Sequence, residues 1–142
     1  MTLPRFLTAL LPLVAAACLS GTDPISVTPA TVEETTFATA LGVDVAASTG
    51  TQSGLYYRDL TVGTGQTISA GDSTEVYYSA YLSTGVEFDS LKTPAVPLKF
   101  QVGSLDIIPG FSEGVIGMKV GGTRQLLIPP AIAFGFSDYQ GI

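Results

Sequence analysis

The C-terminal two thirds of this chain alternate apolar and polar side chains in short segments of period two, the spacing that half-buried strands require. Leu55 to Val62 is the first, followed by turn residues at Gly63-Thr-Gly65 and Gly71-Asp72. Thr74 to Leu82 places Val76, Tyr78, Ala80 and Leu82 on one face and Glu75, Tyr77, Ser79 and Tyr81 on the other. A turn at Ser83-Thr-Gly85 leads into Val86-Glu-Phe-Asp89, and Pro97 to Val102 sends Leu98, Phe100 and Val102 inward. Between Pro109 and Lys119 the period lengthens. Phe111, Val115 and Met118 recur at i, i+4 and i+7, with Pro109 at the start and Gly121-Gly122 beyond the end, which predicts a short amphipathic helix. Gly114 and Gly117 weaken that helix in isolation. Thr123 to Pro129 is the last strand of the pattern. The fold class is α+β, an antiparallel twisted sheet wrapped against one short helix.

The first 53 residues follow a different pattern. Met1 to Ala17 carries one charged side chain, Arg5, and then the largely apolar stretch Phe6 to Ala17. Spanning a hydrocarbon core of about 30 Å takes about 20 apolar residues, so residues 1–17 read as a signal peptide rather than a membrane span. The small residues Ala15, Ala16 and Ala17 directly before Cys18 resemble the lipobox of bacterial lipoproteins, in which that cysteine is lipidated and becomes the mature N-terminus. Such an anchor would place the protein on an extracytoplasmic membrane face, each buried CH₂ contributing about 0.8 kcal/mol. Ordinary secretion with an incidental cysteine is the other reading. Residues 18–53 are rich in Ser, Thr and Ala and read as a tether. Within them Phe37 to Val45 is somewhat amphipathic, and either docks on the domain as a strand or turn or stays in the tether. Eleven of the 13 aromatic residues fall between Tyr56 and Tyr139, which places the folded domain at 54–142.

Composition removes several chemistries. The chain has no His, no Trp and one Cys, so it offers no imidazole base or ligand, no internal disulfide and no multi-cysteine metal site. With 12 Asp and Glu against 6 Lys and Arg, a net charge of −6 argues against nucleic acid as a partner. The tyrosines at 56, 57, 77 and 81 read as sheet packing rather than base stacking, because no run of basic residues surrounds them. Gly63-x-Gly65 is not a dinucleotide fingerprint, since no helix opens after it. Phe88, Phe100, Phe111 and Phe134 read as core by periodicity, and Asp89 as a turn-capping side chain.

Taken in order, several segments resemble the FKBP-type peptidyl-prolyl cis-trans isomerases. They are Gly63-x-Gly65 with Gly71-Asp72, Val76-Tyr-Tyr-Ser-Ala-Tyr-Leu82, Gly85-x-x-Phe88-Asp89-Ser90 and Phe100-x-Val-Gly103. Ile107-Ile-Pro-Gly-Phe111, Glu113-Gly-Val-x-Gly-Met118, Val120-Gly121 and Pro129-Pro-x-x-Ala-Phe-Gly135 continue the series. The resemblance implies rotation of Xaa-Pro bonds in a shallow apolar pocket, without cofactor or metal, assisting the folding of exported proteins. By position it implies a pocket of Tyr78, Phe88, Asp89, Leu98, Ile107, Ile108, Phe111 and Phe134. Phe111 would be the floor under the proline ring, where many members carry Trp. Ile108 would offer its backbone N–H to a substrate carbonyl, and Asp106 stands where many members have a Glu whose carbonyl contacts ligands. Tyr78 and Asp89 would be the polar pair beside the twisting amide, and Phe100 stays core.

The implied partners are proline-containing polypeptides, macrolide inhibitors and, through Cys18, a membrane; a tethered monomer is the default state. A non-catalytic chaperone or peptide-binding module on the same fold is the alternative function. Two departures from the family pattern stand out. Phe134 occupies a position where many members carry a Tyr whose hydroxyl bonds the ligand. The sequence also stops at Ile142, inside a loop that in the family leads to an Ile-Pro-Pro-type segment and a last long strand, so the expectation is an incomplete domain cut from a longer reading frame.

Overall fold

A computed structural model describes residues 31–135. The readings for residues 1–17, for Cys18 and for the chain after residue 135 lie outside the described residues. Seven strands and one helix follow in chain order: β1 (Thr49–Gly50), β2 (Tyr56–Thr61), β3 (Ser73–Val76), β4 (Tyr78–Tyr81), β5 (Glu87–Leu91), β6 (Leu98–Gln101), α1 (Pro109–Val115) and β7 (Thr123–Leu127). All pairing of these strands is antiparallel, in three sheets: β1-β2-β7, β3-β6 and β4-β5.

The strand expected over Thr74 to Leu82 is broken at Tyr77, so its first half pairs with β6 and its second with β5. Its two faces keep the expected identities. Val76, Tyr78 and Ala80 are half-buried, while Glu75, Tyr77, Ser79 and Tyr81 are exposed. The helix is shorter than its period suggested. It ends at Val115, because Ile116 is extended and Gly117 takes a left-handed φ of 78°. Met118 therefore lies past the helix, yet it still packs on the core and accepts the Ile68 N–H at 2.8 Å.

That core is Ile68, Phe100, Val102 and Val115, with Val76, Leu98, Ile107, Phe111 and Met118 packed around it. Gly114 explains how a glycine-rich helix is stable here. A Cβ at Gly114 would sit 2.5 Å from Leu126, and one at Gly110 2.3 Å from Ile128, so the helix rests backbone-close on β7. The propensity lost at glycine is offset by contact that only glycine permits.

Arg124 fixes this packing. It pairs across the ladder with Asp59, donating from Nε at 2.7 Å and from Nη2 at 3.0 Å. Its Nη1 donates to the carbonyls of Gly114 and Ile116 at the end of the helix, at 3.0 and 2.9 Å. The guanidinium lies 4.4 Å from the centroid of the Tyr57 ring. Tyr57 thus carries on its ring a guanidinium from a strand far along the chain. The Arg124 side chain is only 4% exposed, and a buried guanidinium is tolerable because its donors are matched this fully.

The opposite face of the sheet is covered by residues 32–45, within the segment that composition assigned to a tether, and the amphipathic run Phe37 to Val45 takes its docked alternative. Leu41, Val43 and Val45 are half-buried between exposed neighbours, and Val32 is buried. Arg58 donates to the Gly42 carbonyl at 2.7 Å and Gln125 to the Leu41 carbonyl at 2.9 Å. Tyr56 donates its hydroxyl to Glu33, which holds that carboxyl below its ordinary range. The packed body therefore begins well before residue 54.

Arg124→Met should lower stability by about 1–3 kcal/mol, since it leaves the Gly114 and Ile116 carbonyls without their donor; a urea titration reads this as a lower midpoint at unchanged slope. On the β4-β5 hairpin, Lys92 holds the Glu87 carboxyl down from 4.5 to about 2, helped by Tyr81 and Ser90. A carboxyl depressed on folding stabilises above its unfolded value and loses that contribution as pH falls through its folded value. Glu87→Gln should therefore flatten the fall of the melting temperature between about pH 4.5 and 2.

Candidate functional site

β4 and β5 supply the polar half of the expected site. Their register pairs Tyr78 with Leu91 and Ala80 with Asp89, then shifts so that Tyr81 faces Glu87. Phe88 is the extra residue of that bulge, which re-aims side chains at the point where it occurs. Asp89 shares the face of Ala80 and Tyr78, and the Tyr78 hydroxyl donates to Asp89 Oδ2 at 2.7 Å. Asp89 is therefore a strand residue bound across the hairpin rather than a turn cap.

The apolar half comes from α1 and the loop before it. Ile108 caps the helix in an extended conformation, and its carbonyl accepts from Phe111 N at 3.1 Å and Ser112 N at 3.2 Å. Being outside the helix, its own N–H is not consumed by the ladder, and among the described residues no acceptor is paired with it. Phe111 is the junction of core and site. Its ring lies 5.7 Å from the Phe100 ring, which is core, and 5.9 Å from the Tyr78 ring in an edge contact. Such edge contacts contribute about 0.5–1.5 kcal/mol beyond area burial.

Leu98 and Ile107 are half-buried and pack against the same core cluster. Phe88 meets Phe134 edge-on at 6.4 Å, and Phe134 is 46% exposed. That pair stands at the rim, one residue from Asp89. Asp106 is exposed in the loop between β6 and α1 and bonds none of the other candidates. Cavities of about 60 and 180 Å³ lie elsewhere, beside Val62 and Lys119 and beside Thr67 and Asp72. The site is thus an aromatic surface over the core, bordered by one hydroxyl–carboxylate pair.

Sequence reading passed over one residue that shapes it. Ser112 is a buried polar side chain whose Oγ accepts the Gly103 N–H at 2.7 Å, pinning the start of the loop that carries Asp106, Ile107 and Ile108. Its signal was a serine on the helix between Phe111 and Val115, where a buried hydroxyl needs a local partner.

The arrangement has counterparts. Residues 64–142 match the family model for FKBP-type peptidyl-prolyl cis-trans isomerases. An FK506-binding protein of Streptomyces anulatus is 43% identical over 82 residues, which cover 57% of this chain and 66% of that one. The chloroplastic peptidyl-prolyl cis-trans isomerase FKBP16-3 of Arabidopsis thaliana is 42% identical over 59% of this chain and 38% of its own length. The chain thus spans less than two thirds of either relative. Among solved structures, FkpA from Escherichia coli superposes with a TM-score of 0.56 at 35% identity, over 63% of this chain and 41% of that one. AtFKBP13 superposes equally well at 34% identity, over 62% and 75%. The likeness runs through the segments that build the hairpin, the loop and the helix, and on that basis the chain belongs to the FKBP-type peptidyl-prolyl cis-trans isomerase family.

Proposed function

We propose that this chain catalyses rotation about Xaa-Pro peptide bonds, and that the Tyr78–Asp89 pair set beside the Phe111 ring carries this reading. The barrier to that rotation is about 18–20 kcal/mol, because resonance stiffens the C–N bond. A twisted amide has lost the resonance and much of the partial charge on its carbonyl, so water solvates it less well than the planar form. An apolar surface therefore disfavours the planar amide more than the twisted one, and that difference lowers the barrier. Each tenfold in rate takes about 1.4 kcal/mol. In this scheme Phe111 supports the proline ring, with Leu98 and Ile107 behind it and Phe88 and Phe134 at the rim. Ile108 N–H orients a substrate carbonyl, the Asp106 carbonyl borders the ligand, and Asp89, steadied by Tyr78, fixes the polar edge. No proton transfer, nucleophile or cofactor is called for.

The substrates are proline-containing polypeptides. Macrolides are competing occupants, a proposal supported by the FK506-binding relative; Phe134 would meet them with an apolar edge and no hydroxyl. The N-terminal pattern supports export and lipidation at Cys18, with exported chains as the clients.

Wild type should accelerate cis-trans exchange of a short Xaa-Pro peptide. Asp89→Leu should lower kcat/KM by about 10- to 100-fold, the value of a charge-assisted hydrogen bond of about 1.5–3 kcal/mol. No acceleration by folded wild type would assign the chain instead to the non-catalytic peptide-binding modules. Mass spectrometry of the native N-terminus should find a diacylglyceryl Cys18; an unmodified terminus at Cys18 or beyond would mean simple secretion.

A further inference from the structure

The hairpin that carries Tyr78, Phe88 and Asp89 is a two-stranded ladder of its own, unpaired with the β1-β2-β7 sheet. A lone two-stranded hairpin is at best marginally stable in water. Two aromatic contacts hold it from the substrate side, Tyr78 to Phe111 and Phe88 to Phe134. Its turn is held from elsewhere. The Ala38 N–H donates to the Ser83 carbonyl at 2.8 Å. A Cβ at Gly85 would lie 3.1 Å from the Ala38 methyl, and Gly85 has φ +91°, so the turn both needs glycine and receives Ala38 closely.

Ala38 leads straight into a 3-10 turn, Thr39–Leu41, capped by Gly42. The carbonyls of Leu41 and Gly42 are the ones taken by Gln125 and Arg58 on the sheet. Five residues therefore bind the hairpin turn at one end and the sheet at the other. They lie outside residues 64–142, the extent of the family match.

We propose that Ala38 to Gly42 is a positioning strap, which fixes the turn of the hairpin to the sheet and so holds Tyr78 and Asp89 in register with Phe111. The proposal rests on the isomerase reading above. Ala38 is the positioning residue, acting through the Ser83 carbonyl and touching no substrate.

Ala38→Pro isolates the contact, because Ala38 already has φ −60°, the angle a proline ring imposes, and the substitution removes the N–H. The variant should melt within about 3 °C of wild type. Amide exchange across residues 78–91 should quicken, and kcat/KM should fall about five-fold, which converts to about 1 kcal/mol, with the loss in kcat rather than KM. Ala38→Ser, which keeps the N–H, should retain wild-type values. Gln125→Met, acting at the sheet end of the strap, should quicken exchange in the same hairpin and decides the matter should Ala38→Pro fail to fold. Unchanged exchange and unchanged kcat/KM in a folded Ala38→Pro protein would overturn the proposal, as would a lowered melting temperature with hairpin exchange and kcat intact. An inactive wild type would sink the isomerase reading alone, while the exchange measurement would still judge the strap.

Discussion

The structure hangs on the guanidinium of Arg124. A seven-residue helix rests backbone-close on β7 at Gly110 and Gly114, a contact with no side chain on the helix at those two positions to set its angle. Arg124 supplies direction where burial supplies none. One edge of its fork holds Asp59 across the ladder, the other holds the last carbonyls of the helix, and its flat face rests on Tyr57. Because these bonds are directional, the helix cannot roll on β7 without breaking them. Ile108 and Phe111 at the other end of the same helix inherit that fixed orientation.

The sheet is thus dressed on both faces by unlike means. Toward the helix it presents close apolar contact and a buried guanidinium paired with a carboxylate at the surface. Toward residues 31–50 it presents Arg58 and Gln125, whose long side chains capture backbone carbonyls. The site grows from the first arrangement, since Phe111 continues the core outward and Tyr78 lies against it. The hairpin that completes the site belongs to neither and leans on both.

This division also decides what could be read from sequence. Strand faces and the position of the helix were legible because burial imposes a period, and Val76, Tyr78 and Ala80 obey it across the break at Tyr77. The pairing of Tyr78 with Asp89 was legible only through family resemblance, for periodicity alone favoured a turn cap. Arg124 was illegible because its carboxylate partner is 65 positions away. The docking of residues 32–45 was half legible: the amphipathic run Phe37 to Val45 left it open, and Leu41, Val43 and Val45 are half-buried. What composition does not register is the capture of the Leu41 and Gly42 carbonyls, which asks for no particular side chain on the captured segment. The early stop of the helix is a local matter, set by Gly117 in a conformation that an apolar period does not register.

Phe111 has a consequence that reaches past geometry. The same ring meets Phe100 of the core and Tyr78 of the candidate site, so a change there bears on both at once. A collection of variants at this position, chosen to alter the candidate surface, would at the same time be sorted by how much intact protein each cell accumulates. Under the proposed function, change is therefore better tolerated at Phe88 and Phe134, whose edge contact involves no residue of the core cluster, than at Phe111, which packs against it.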